Sequence, residues 1–266
     1  FASACEAISG FRYVNGYPGQ TPVRPNLSLG DTVSGLHAVI GILMSLRVKD
    51  HKNKKGEAGG QVVDIALYES MFNLLEAVIP EYQGAGVVRQ PSGTTVTGIV
   101  PTNTYQCADE KYIVIGGNGD SIFKRLMAAI GRPDLASLAK YSTNADRVIY
   151  EREIDDLISN WCLQTPLDGV MSILEAHRIP CGPVYNAADI LDDKHFQYRE
   201  LFETVEINGE SLTIPAIMPK LDATPGNTAW PGPEIGSHTD EILSSIGIDT
   251  ATIEQLKTSG VVTDTV

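Results

Sequence analysis

SLGDTVSGLHAVIGILMSLRVKD, residues 28–50, is the stretch whose reading decides the fold. From Asp31 to Asp50 it has the composition of a helix of about five turns. Asp31 stands where an N-terminal helix residue belongs. Apolar side chains fall on nearly every side of that helix, so it is expected to be buried. Its strongest apolar run, Leu36 to Leu46, is short and carries polar breaks, so no bilayer span is expected from it. Downstream, HKNKKGEAGG (51–60) reads as a polar loop, QVVDIAL (61–67) as a short strand and YESMFNLLEAVIPEYQ (68–83) as another helix. That alternation points to an α/β layer.

Outward from this centre, residues 11–30 are punctuated by Gly16, Pro18, Gly19, Pro22 and Pro25 and read as turns. Between Gly84 and Gly98 the texture changes to Gly, Ser, Thr, Pro and Gln, the mark of a loop leading into a second region. That region shows a strand at 112–115 and helices at 121–130, 147–161 and 166–177. RIPCGPVYNAADILDD (178–193) reads as strand, turn and helix, and LFETVEINGESLTIPAI (201–217) as a strand pair. Helices at 238–246 and 252–259 close the chain. No internal repeat or low-complexity tract is present.

Composition narrows the function. The chain of 266 residues carries 20 Lys plus Arg against 33 Asp plus Glu, a net charge of -13 that argues against nucleic acid as a partner. Cys5, Cys107, Cys162 and Cys181 form no CxxC pair, which fits a reducing interior better than a disulfide framework. His37, His51, His177, His195 and His238 make no metal-ligand spacing, so no metal is expected. No GxSxG elbow marks a serine hydrolase, and no secretory signal is legible. The chain opens on Phe1 inside an apolar-patterned segment, FASACEAISG, and is expected to be a piece of a longer protein.

Two features carry chemistry. Gly116, Gly117 and Gly119 lie between a strand and a helix, yet Ile122 occupies the third glycine position of a dinucleotide fingerprint. A tight turn with Asp120 or Ser121 capping the helix is the favoured reading. In the same way GSHTD (236–240) reads as a cap offered by Ser237 or Thr239. The sharper feature is Asp31. A carboxylate at a helix N-terminus sees the positive end of the helix dipole and unsatisfied N–H groups. Unpaired, it is available as a nucleophile or base. Gly35, one turn on, leaves room above it, and Ser34 is nearby; the alternative is a plain N-cap.

With these residues in place, the sequence resembles the class III CoA-transferase family, which includes formyl-CoA and carnitine CoA-transferases. FASACEAISG resembles a segment of the form FDxxAQAxSG, departing from it at Ser3 and Cys5–Glu6. SLGDTVSGLHAVIGILMSL resembles GDxxxGxxxxxGILxAL, and GGQVVDIALYESMFNLL resembles GQxVDVALxDAxxxLL. IPCGPVYNAADILDDKHFQYRELF and the ending MPKLDATPG…PGPEIGSHTDEIL follow in family order.

The resemblance implies that Asp31 is the catalytic carboxylate, forming an aspartyl-CoA intermediate as CoA moves from an acyl-CoA to a small carboxylic acid. It implies no cofactor beyond the CoA thioester substrate; the short apolar stretches separately lead to no membrane being expected as a partner. It also implies a glycine-rich lid, matched by Gly98, Ile99 and Val100, although only Gly98 stands where relatives have a run of glycines. The implied fold is α/β, with a Rossmann-like large domain and a smaller α+β domain in an interlocked homodimer. Residues 1–89 would belong to the large domain, 90–190 to the small one and 191–266 to the large one again, with the N-terminal part of the family fold outside this chain. The implied localisation is cytoplasmic, with mitochondrion or peroxisome compatible.

Two other readings stand beside this one. An α-methylacyl-CoA racemase of the same family would need a His about thirty residues before Asp31, where Phe1 stands and cannot carry a proton. A non-catalytic subunit completing a partner chain is the other.

Overall fold

A computed structural model describes residues 1–56, 59–207 and 209–263. The chain divides into two units, Phe1–Val184 and Tyr185–Val266. In the first, α1 (Ala2–Ile8), α2 (Phe11–Val14), α3 (Leu29–Lys54), α4 (Leu67–Phe72) and α5 (Val78–Ala85) precede a second part. That part runs β1 (Thr102–Gln106), β2 (Tyr112–Gly116), α6 (Asp120–Ala129), α7 (Asn144–Ile149), α8 (Glu151–Cys162), α9 (Leu167–Ala176) and β3 (Cys181–Pro183). The change of texture at 84–98 covers the end of α5 and then a loop inside this unit.

The three strands form an antiparallel sheet in the order β1-β2-β3, with Thr102 opposite Gly116 and Ile115 opposite Cys181. Alternation along β2 buries Ile113 and Ile115 and leaves Tyr112 and Val114 exposed, as a one-sided sheet requires. Helices cover the buried face with matching stripes. Ile154, Ile158 and Cys162 recur at four-residue spacing on α8, and Phe123, Leu126 and Met127 share one side of α6. With Val170 and Leu174 of α9 they make one core.

The second unit holds α10 (Ala187–Asp192), α11 (Lys194–Tyr198), β4 (Phe202–Ile207), β5 (Glu210–Pro215), α12 (Thr239–Ser245) and α13 (Thr250–Thr258). The β4–β5 pair is an antiparallel hairpin closing at Ile207 and Glu210, as its sequence predicts, with Gly209 at φ 80°. The Asn186 side chain caps α10 and Asp193 caps α11.

Several expectations are corrected. Residues 61–66 form no strand: among the described residues no neighbour pairs with them. A strand exists only through its ladder, so the apolar pattern alone does not make one. The helix read over 68–83 is α4 and α5, interrupted where Glu76 takes φ 48°. The helix read over 147–161 is α7 and α8, divided at Tyr150. Residues 51–54 of the expected loop are the last turn of α3; residues 57 and 58 lie outside the described residues. The cap position of α6 is Gly119, which has no side chain to offer, and Asp120, the first helical residue, pairs with Arg147. His238, likewise without a side-chain cap, precedes α12.

α3 departs most from expectation. It packs on α1 and α4, yet Gly30 and Ser34 are its buried residues, while Leu36 is 60% and Met44 66% exposed. Two neighbours cover one stripe of a helix that is apolar on several. At 26 residues, with an 18-residue window of mean hydropathy 1.4, it is also long and apolar enough to cross a membrane. The run Leu36–Leu46 therefore understates its apolar length; a core helix whose cover lies outside the described residues has the same signature.

Candidate functional site

The start of α3 is built around two carboxylates with opposite surroundings. Glu6, on α1, is fully buried. Its Oε1 accepts the Gly30 N–H at 3.4 Å, and its Oε2 accepts from Arg12 Nη2 at 3.2 Å and Nε at 3.4 Å. Arg12 Nη2 also donates to the Ser3 hydroxyl. The buried anion thus meets a free N–H of the α3 start and is neutralised by a guanidinium, the pairing that makes burial of a charge tolerable. A Cβ on Gly30 would come within 3.3 Å of the Ala2 Cβ, so glycine allows α1 to approach this closely.

Asp31, the next residue, faces the other way. It lies in the first turn of α3, three positions after Ser28, so it is not the N-cap. Its side chain is exposed and has no hydrogen-bond or ion-pair partner among the described residues. Ser34, one turn on, is buried and its hydroxyl returns to the Gly30 carbonyl at 2.8 Å. A Cβ at Gly35 would meet nothing within 4 Å. An unpaired carboxylate at a helix start, with open space one turn above it, can attack an electrophile or accept a proton.

The second predicted group, Gly98, Ile99 and Val100, lies on the loop entering β1. Gly98 takes φ 81°, a left-handed conformation that favours glycine. Ile99 donates its N–H to the Val96 carbonyl at 3.1 Å, closing the turn. Val100 is fully buried and anchors the loop in the core, while residues 96–99 stay exposed. No hydrogen bond or ion pair joins this loop to Asp31 among the described residues. Instead the loop is tied to α7. Asn144 donates to the Gly98 carbonyl at 2.8 Å and accepts the Val100 N–H at 3.0 Å. Arg147 donates to the Val100 carbonyl at 3.0 Å.

Glu6, Arg12, Asn144 and Arg147 were missed in the sequence. One signal existed: Thr143-x-x-Asp146 is a capping box, fulfilled here, and marks the true start of α7. Beside the loop, Asp155 accepts from Tyr105 Oη at 2.6 Å and Asn103 Nδ2 at 2.9 Å. Burial pushes its carboxyl above the ordinary range, and burial with the Asp155 charge does the same to Glu151. Together with Pro18, Ser92 and Thr95 they line a cavity of about 460 Å³. Arg152 lines it too, so two carboxyls and one guanidinium share its wall. The glycines 116–119 hold no free phosphate cradle, since a Cβ at Gly117 would collide with Leu126 Cδ2 at 2.6 Å. The four cysteines are free thiols.

The helix-start carboxylate and, separately, the Gly98 turn belong to a chain whose residues 1–239 match the model of CoA-transferase family III. The chain belongs to that family. It is 36% identical over 247 residues to a succinyl-CoA–D-citramalate CoA-transferase of Chloroflexus aurantiacus, covering 92% of this chain and 60% of the relative. It is 33% identical over 250 residues, with the same coverages, to the beta subunit of a succinyl-CoA–L-malate CoA-transferase of that organism. The chain therefore spans about three fifths of the length of these curated relatives. Its fold is similar to that of a CaiB/BaiF family protein from Brucella suis, with a TM-score of 0.74 and 22% identity over 92% of this chain and 62% of that one.

Proposed function

We propose that the intact protein transfers coenzyme A from an acyl-CoA to a small carboxylic acid, with Asp31 as the nucleophile. The observation that carries this reading is the Asp31 carboxylate, exposed and without a protein partner at the start of α3 in a chain of this family. One Asp31 oxygen attacks the thioester carbonyl, the carbon–sulfur bond breaks, and a mixed anhydride and CoA thiolate result. The thiolate attacks the aspartyl carbonyl, releasing the donor acid and leaving an aspartyl-CoA thioester. The acceptor carboxylate then displaces the thiolate to form a new anhydride. Attack of the thiolate on the acceptor's acyl carbon gives the new acyl-CoA and restores Asp31. Each step exchanges one activated acyl bond for another, so the thioester energy is kept as long as water is excluded.

The names of the two relatives make succinyl-CoA the first donor to test, with hydroxy dicarboxylic acids as acceptors. Gly98, Ile99 and Val100 would be the lid over the acyl group. The exposed apolar sides of α3 and the unpaired residues 61–66 support a place for this segment in a larger Rossmann-like domain. The chain's subunit arrangement is read as a homodimer in the cytoplasm. The racemase reading is disfavoured because Phe1 offers no proton carrier. The deciding assay incubates the intact protein with succinyl-CoA and a labelled acid, and follows label into the CoA thioester. Exchange of the α-hydrogen without CoA transfer would establish the racemase, and neither activity would leave a non-catalytic subunit.

A further inference from the structure

The exposed loop 96–99 is held by side chains rather than by a strand ladder. Its backbone between Gly98 and Val100 is gripped from α7, more than forty residues away in sequence. The Asn144 amide uses both ends, giving its N–H to the Gly98 carbonyl at 2.8 Å and taking the Val100 N–H at 3.0 Å. That is the pattern a neighbouring strand would offer, supplied by one side chain. Arg147, three residues further along the helix and so on a neighbouring face position, takes the Val100 carbonyl with Nε at 3.0 Å. The peptide groups on both sides of Ile99 are therefore fixed from one short element.

Arg147 is itself immobilised. It is fully buried, donates to the Tyr141 carbonyl at 3.0 Å and to the Asn118 carbonyl, and pairs with Asp120 at 2.9 Å. The Phe123 ring lies 4.8 Å beneath its guanidinium carbon. The glycine turn 116–119 is thus drawn into the same node, and the Gly117 N–H donates to the Pro101 carbonyl at 2.8 Å. The Thr143–Asp146 capping box fixes the helix end from which Asn144 projects. A planar guanidinium with five donors can satisfy three separated carbonyls and a carboxylate at once, which lysine cannot.

We propose that Asn144 and Arg147 are positioning residues that clasp the loop 96–100 and fix the Gly98 and Ile99 backbone for turnover. The role in turnover rests on the lid reading of that loop; the clasp itself rests on the geometry above. A loop held at two peptide groups is ordered before substrate arrives, and misplacement by about 1 Å can cost about a hundredfold in rate.

The test compares the intact wild-type protein with Asn144→Ala, a half-buried site whose loss leaves the core untouched. Asn144→Ala removes both of its hydrogen bonds. Hydrogen–deuterium exchange of the peptide covering 96–101 should accelerate about tenfold, the scale of the one that protects an amide, the Val100 N–H, while the β2 peptide is unchanged. In the transfer assay kcat should fall about tenfold or more, with KM for the acyl-CoA within about threefold. Arg147→Lys, which keeps the charge but loses the fork, should likewise speed exchange at 96–101 and lower kcat, with faster exchange also in the turn after β2 that Arg147 holds through Asn118 and Asp120. Unchanged exchange at 96–101 in both variants would overturn the clasp, whatever the activity. Faster exchange with unchanged kcat would overturn the positioning role. Should the wild type transfer CoA to no acid tested, the functional reading fails, the positioning role falls with it, and exchange still decides the clasp.

Discussion

Two carboxylates meet the same helix start, and their removal should have opposite consequences. Asp31→Asn keeps the shape of an exposed, unpartnered side chain and removes its charge. The charge–dipole contribution at a helix start is about 0.3–1 kcal/mol. At about 2–4 °C per kcal/mol for a chain of this size, Tm should fall by no more than about 4 °C. Turnover should drop by about four orders of magnitude or more, as for other removed nucleophiles. Glu6→Gln is the contrast. Glu6 is fully buried and neutralised by Arg12, and losing one partner of a buried pair costs about 3–5 kcal/mol. The Arg12 side chain is 22% exposed and can recover some hydration, so the lower end applies, a fall of about 6–12 °C in Tm. Thermal unfolding and labelled-acid exchange on the intact protein measure both quantities. Hydroxylamine trapping with acyl-CoA should tag the peptide containing Asp31 in the wild type and nothing there in the Asn variant. Turnover near normal in Asp31→Asn, with intact mass excluding reversion to Asp, would refute the assignment. So would a Tm loss in that variant as large as that of Glu6→Gln.

Burial pushes the Cys162 thiol up to about 12, against an ordinary 9.0. The folded state therefore keeps a proton that the unfolded chain releases above pH 9, so stability is full below that pH and falls as pH rises toward 12. At pH 10 the loss should be about 1 kcal/mol, and Cys162→Ala should flatten it; identical alkaline slopes would refute the burial argument. At pH 8, iodoacetamide should leave Cys107 and Cys162 unmodified in the native protein, since both are buried and held as thiols; peptide mapping that finds either labelled as readily as Cys5 contradicts this. A polypeptide of residues 1–266 alone should self-associate and bind hydrophobic dyes through α3, whose apolar side chains stand in solvent; a monodisperse product without dye binding would show that the exposed face is not adhesive.

The sequence alone determined the features whose causes lie within a few residues. Alternation along Tyr112–Gly116, the four-residue spacing of Ile154, Ile158 and Cys162, and the pairing of β4 with β5 each carry their own geometry. The place of Asp31 in the first turn of a long helix was legible for the same reason, and the ordered motifs around it pointed to the family. Tertiary structure decided the rest. Residues 61–66 have the pattern of a strand but no partner among the described residues, and a ladder needs one. Only the approach of α1 made Glu6 the buried ion at the start of α3 and left Asp31 outward and unpaired. Asn144 and Arg147 reach the Gly98–Val100 backbone across more than forty residues, a contact no local pattern encodes. Propensity acts between neighbours along the chain, whereas a partner for a buried charge or an open peptide group is whatever the folded chain brings within 3 Å or so.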